Sequence, residues 1–141
     1  METTEELENI LAPILDGMGI SMVESSIGRH RGDIKVNLVL YKQGGIGLDD
    51  LTKAQKILRP RLELEYDRDN LSLEISSPGL SRVIKRDREY GLFIGRGIRI
   101  LHGEDWVNGI LKAYDGKHII IEVDGKEVSY VVDEIRKAKL D

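Results

Sequence analysis

The chain has 141 residues and a formal net charge of −4, and it is 40% hydrophobic yet only 5% aromatic, with no cysteine. Such a composition supports a core of Ile, Leu and Val, excludes a disulfide framework or thiolate metal site, and suits a reducing cytosol. Apolar stretches fall far short of the ~20 residues of a membrane span, and Glu2, Glu5 and Glu6 stand where a signal peptide is positive, so a cytoplasmic protein of one or two small domains, away from membranes, is expected.

Thr3 and Glu6 have the spacing of a capping box. Behind them Leu7, Ile10, Leu11, Ile14, Leu15 and Met18 recur as one apolar stripe on a helix. Pro13 lies inside it and is expected to kink it, and Gly17 and Gly19 are expected to close it. A strand is read from Ile20 to Ile27, though its alternation is poor, followed by a hairpin loop over residues 28–32. Ile34, Val36, Leu38 and Leu40 alternate cleanly and predict a strand with one buried face. Gly44, Gly45 and Gly47 lack the Gly-Lys-Ser/Thr ending of a phosphate loop and read instead as the entry to a helix. Asp49 and Asp50 occupy its first turn, and Leu48, Leu51, Ala54, Leu58 and Leu62 form its expected buried stripe. Leu71, Leu73 and Ile75 then alternate with Ser72, Glu74 and Ser76. Helix, strand, strand, helix, strand describes an α+β unit, with two helices covering one face of a three-stranded sheet.

The third strand runs into Ser76, Ser77, Pro78, Gly79 and Leu80. Pro78 holds Ser77 extended, and the pair Pro78-Gly79 predicts a type II turn in which Gly79 supplies the positive φ. Beyond it the character changes: Arg82, Lys85, Arg86, Arg88, Arg96 and Arg99 face only Asp87 and Glu89, a local +4 in an acidic chain. Phosphate affinity depends on such clustering rather than on net charge. Asp87 is expected to cap a short helical stretch ending at Phe93. From Gly95 the pattern becomes all-β. Strands are expected over 97–101, 106–114, 117–123, 127–132 and 136–140, with turns at Gly103, at Asp115-Gly116 and at Asp124-Gly125. Five short strands with tight turns indicate a small SH3-like (Sm-like) β-barrel. The expected division is an N-terminal α+β domain over 1–83 and a C-terminal barrel over 84–141.

Residues able to carry chemistry are scattered. His30, His102 and His118 occur singly beside predicted turns, without partners at metal-ligand spacing. Ser76 and Ser77 lack the Gly-x-Ser-x-Gly elbow of a nucleophile. Gly95 and Gly97 open a strand, not the helix of a dinucleotide site. Trp106, the single Trp, is assigned to barrel core or sheet-edge packing rather than base stacking. The reading is a binding protein and not an enzyme, with no catalytic residue, cofactor or metal.

The run from Leu73 to Leu80, followed by Ser81 and Arg82, resembles the signature of the bacterial ribosome maturation factor RimP family. Gly44 to Asp50 resembles that family's helix entry, and Phe93 to Gly95, Val123 to Lys126 and Asp133 to Leu140 resemble its second domain. Ser81 stands where the family usually has an acidic residue, and Val83-Ile84 where it has Pro-Leu. The resemblance implies a monomeric factor that binds the free small (30S) ribosomal subunit during assembly, contacting rRNA and a small-subunit ribosomal protein. In that light Arg82, Lys85, Arg86, Arg88, Arg96, Arg99, Arg29 and Arg31 are the candidate rRNA contacts. Ser76, Ser77, Pro78, Gly79 and Leu80 form the interdomain motif. The alternative is a protein–protein adaptor with an SH3-like barrel and no RNA contact.

Overall fold

The computed structural model describes residues 3–66 and 68–141. Two compact units are present, one ending at Pro78 and the other beginning at Gly79.

In the first unit, α1 spans Thr4–Gly17, β1 Ser21–His30, β2 Asp33–Tyr41, α2 Leu48–Glu65 and β3 Leu71–Ser76. Thr3 Oγ1 accepts from the Glu6 N–H at 3.0 Å and so satisfies one of the orphan donors of the first turn. The helix runs through Pro13 to Gly17 and buries Leu7, Leu11 and Leu15. The sheet order is β1-β2-β3. β1 and β2 are antiparallel, whereas β2 and β3 run parallel, Ile34 beside Leu71 and Leu38 beside Ile75. A parallel pair needs a crossover, and α2 supplies it. Ile34, Val36, Leu38, Leu40, Leu71 and Leu73 meet Leu7, Leu11, Leu15, Ala54, Leu58 and Leu62 in one core, so both helices cover the same sheet face. Each fully buried leucine there contributes about 1.5–3 kcal/mol of transfer free energy.

Three expectations for this unit change. The poor alternation of β1 has a cause: a bulge between Met22 and Glu24 inserts Val23, which is buried, and resets the period. The hairpin loop is only Arg31-Gly32, with φ of 52° and 88°, the two-residue turn whose twist matches the strands. Gly28, Arg29 and His30 therefore belong to β1. Leu48 lies outside the buried stripe and is 79% exposed, because α2 begins at this residue, ahead of the part that packs on the sheet.

In the second unit, α3 spans Glu89–Leu92, β4 Gly97–His102, β5 Asp105–Tyr114, β6 His118–Val123, β7 Lys126–Val131 and β8 Ile135–Leu140. One five-stranded antiparallel sheet results, in the order β7-β6-β5-β4-β8. Phe93, Ile98, Ile100, Leu111, Ile119, Ile121 and Leu140 are all essentially inaccessible. The turn Asp124-Gly125 again has two positive φ values, 51° and 79°. Asp87 does not cap α3. The N-cap position is Arg88 without a side-chain bond, and Asp87 instead offers its backbone carbonyl to the Tyr90 N–H at 3.1 Å.

Among the described residues no helix is long and apolar enough to cross a membrane.

Candidate functional site

β3 carries the chain to Ser76, beside Val39 of β2, and Ser77, Gly79 and Leu80 follow at the surface. The expected turn is displaced. Gly79 does not adopt a positive φ, and its carbonyl accepts from the Arg82 N–H at 3.1 Å, so the bend closes over Leu80-Ser81. That bond needs the peptide after Gly79 rather than the one before it, which frees Gly79 from the left-handed region. Leu80 projects at 86% exposure.

From Arg82 the chain is fastened to its own unit. The Leu140 N–H donates to the Arg82 carbonyl at 2.8 Å, the Ile84 N–H to the Ala138 carbonyl at 2.8 Å, and Val83 bridges to Lys139. Glu89 then acts as a buried latch. Its Oε1 accepts from Arg82 Nε at 2.9 Å, and its Oε2 accepts from the backbone N–H groups of Lys85 at 3.3 Å and Arg86 at 3.2 Å. The Arg82 and Glu89 side chains are only 8% and 1% exposed. A carboxylate this buried persists because three donors converge on it. The segment leaving the joint is therefore a clamped element of the second unit.

The latch sorts the candidate cations. Arg82 turns inward and is spent on Glu89. Lys85, Arg86 and Arg88 are exposed on the same unit, and Arg96 and Arg99 are half-buried. Arg99 lies over the Trp106 ring, its guanidinium carbon 4.7 Å from the centroid, and Lys139 Nζ is 5.7 Å from it. Arg29 and Arg31 belong to the other unit, at the tip of the β1–β2 hairpin, where Arg29 Nη1 donates to the Gly32 carbonyl at 3.5 Å. Sequence reasoning counted Glu89 only as an offsetting charge, and nothing in its spacing from Arg82 signals the pair. Of barrel core and sheet-edge packing for Trp106, the core is excluded, since the residue is 40% exposed, and it pairs with β4 on a part of β5 that lacks a β6 partner. The strand period carried that signal: Trp106 and the buried Leu111 differ in parity along β5 and so face opposite sides.

Next to the latch, Tyr90 is 3% exposed, its ring 5.7 Å from that of Tyr114. Burial, followed by the negative charge of Asp87, pushes its hydroxyl up to about 12. The folded protein thus holds this proton more tightly than the unfolded chain, whose tyrosine titrates near 10.0. Stability from this group is complete below pH 10 and lost as pH rises toward about 12. Base titration followed by circular dichroism should show this loss, and Tyr90→Phe should flatten the curve in that window.

Elsewhere the titratable groups serve turns. Asp115 accepts from the N–H groups of Lys117 at 2.8 Å and His118 at 2.7 Å, which holds its carboxyl below the usual carboxylate range. Asp50 is lowered likewise, by the Gly47 N–H it accepts at 2.9 Å and then by Lys42. His118 lies 3.4 Å from Asp115, and His102 3.5 Å from Glu134, both at the surface. Among the described residues no three His, Asp or Glu side chains gather at metal-binding distance.

Residues 10–81 match the family profile described as the RimP N-terminal domain, which ends inside the joint. Along almost the whole chain the sequence is similar to proteins named ribosome maturation factor RimP. That of Borrelia hermsii is 36% identical over 137 residues, spanning 96% of this chain and 94% of the relative. Those of Borrelia turicatae and Borrelia recurrentis are 34% and 33% identical over the same shares. With the profile covering most of the first unit and the joint, and relatives of this identity aligned over almost the whole chain, the chain belongs to the ribosome maturation factor RimP family.

Proposed function

We propose that this protein is a ribosome maturation factor that binds the free small (30S) ribosomal subunit in the cytoplasm, as a monomer, and assists assembly by binding alone. The observation that carries the reading is the end-to-end similarity to proteins named for ribosome maturation. The clamped basic segment supports it. Lys85, Arg86 and Arg88 project from a fixed backbone, so binding of phosphates by them costs little backbone ordering entropy. The second unit is read as an SH3-like barrel, on its strand order and its tight two-residue turns. Residues 82–84 line the outer side of β8, while β7 ends the sheet and offers an edge to a ribosomal protein. Arg29 and Arg31 at the hairpin tip, and Ser76, Ser77 and Leu80 in the exposed joint, are the further candidate binding residues.

The reading is tested by sedimentation. The protein is expected to travel with free small subunits and not with translating ribosomes, and equal recovery in both would overturn it. Neutralising Lys85, Arg86 and Arg88, with Arg82 kept because it holds Glu89, should weaken subunit binding. The log-salt slope should fall by about 0.7–0.9 for each phosphate no longer neutralised. An unchanged slope would remove these side chains from the interface.

A further inference from the structure

One face of the second unit's sheet combines cations with an exposed aromatic. Ile98, Ile100, Ala138 and Leu140 point into the core. Their neighbours, of opposite parity, point outward and align across the strands: Lys139 beside Arg99 and Arg99 beside Asn108, then Lys137 beside Leu101 and Leu101 beside Trp106. Arg99, Lys137 and Lys139 thus share this face with an indole that is 40% exposed. In the row beyond, Ile110 lies between Gly97 and Glu122, Glu122 is tied to Lys112 at 3.0 Å and stands beside Glu127, and the Asp141 N–H donates to the Gly97 carbonyl.

We propose that this face binds single-stranded RNA, with an unpaired base stacked on Trp106 and flanking phosphates held by Arg99, Lys137 and Lys139. The inference rests on the ribosomal reading for the choice of nucleic acid. Charge complementarity argues for a polyanion, since Arg99, Lys137 and Lys139 share the face and the Glu122 carboxylate is paired with Lys112. The indole argues for an unpaired base. A ring on a sheet surface offers a π-face that any base can cover, whereas bases inside an A-form duplex are stacked on one another and out of reach. Arg99 and Lys139 against the ring fix its orientation and leave it in a positive field.

Trp106 is the only tryptophan, so its emission reports on this face alone. Titrating the full chain with a short oligouridylate is expected to quench that emission, while a paired RNA duplex of equal length leaves it unchanged. Trp106→Leu should weaken oligouridylate binding, read by anisotropy of a labelled strand, about 5- to 150-fold, the range for one lost base stack. Trp106→Phe should retain most of the affinity, and its retained circular dichroism would show that the face still folds. Neutralising Lys137 and Lys139 should lower the log-salt slope by about 0.7 per phosphate no longer neutralised, and Trp106→Leu should leave that slope unchanged. Absent quenching, or equal affinity for Trp106→Leu, overturns the proposal. So does quenching by a polyglutamate peptide but not by oligouridylate, which would assign the face to an acidic protein segment. If oligouridylate fails while co-sedimentation with free small subunits persists, only this site falls. If oligouridylate binds through Trp106 and co-sedimentation fails, the site stands and the subunit reading falls.

Discussion

Replacing Glu89 with alanine is expected to cost the second unit about 3–5 kcal/mol, the penalty for stranding one member of a buried ion pair. Three donors lose their acceptor at once: Arg82 Nε and the backbone N–H groups of Lys85 and Arg86. Arg82→Met should cost less, since Glu89 keeps its two backbone donors and Met fills much of the same space. Combining Arg82→Met with Glu89→Leu should cost less than the sum of the single changes, because neither charge is left alone. Chemical denaturation followed by Trp106 emission isolates this unit, the indole being part of β5. A loss below about 1 kcal/mol for Glu89→Ala would mean that water reaches the site and that the clamp is not a structural pair. The same variant should loosen residues 82–86, whose amide protons should then exchange faster than those of β4.

The elements that follow a single period were legible in the sequence. α1 and β2 each have one buried face unbroken by irregularity, and hydrophobic spacing places them within a residue or two. The hairpins of the second unit were legible for a different reason. Asp124-Gly125 adopts a backbone that few residue pairs tolerate, so local chemistry alone specifies the turn. β1 was obscured by the Val23 bulge, which resets the period without any Gly or Pro to announce it. The parallel pairing of β2 with β3 follows from where α2 returns the chain, and no local pattern encodes that. At the joint, Pro78 and Gly79 suggested a turn two residues too early, because the bond from Arg82 to Gly79 is fixed by the attachment of residues 82–84 to β8. The candidate site was legible as charge but not as geometry. Six basic residues in eighteen mark a cationic segment, yet only folding separates Arg82, buried against Glu89, from Lys85, Arg86 and Arg88, which are exposed.

Gly109→Ala is expected to disrupt the β5–β6 pair, at a cost of about 3 kcal/mol, the upper part of the range for overpacking. A β-carbon at Gly109 would fall well inside van der Waals distance of the Glu122 carbonyl oxygen and of Ile121 Cγ2. A side-chain tip could turn aside, but a carbonyl within the sheet cannot move without its strand. The position explains the crowding. β5 pairs with β4 from Asp105 to Ile110 but with β6 only from Ile110 onward, so Gly109 stands where the strand leaves one partner and coils toward the other. Glycine at such a bend permits close backbone approach and sharp coiling. In Gly109→Ala, amide protection should fall at Ile110 and Glu122, which pair across β5 and β6, while Arg99 keeps its own through Lys139 of β8. Uniform loss across all five strands would point to global unfolding rather than a local opening. Unchanged protection would mean that β5 coils without help from Gly109, and the barrel reading would lose the bend on which closure of a five-stranded sheet depends.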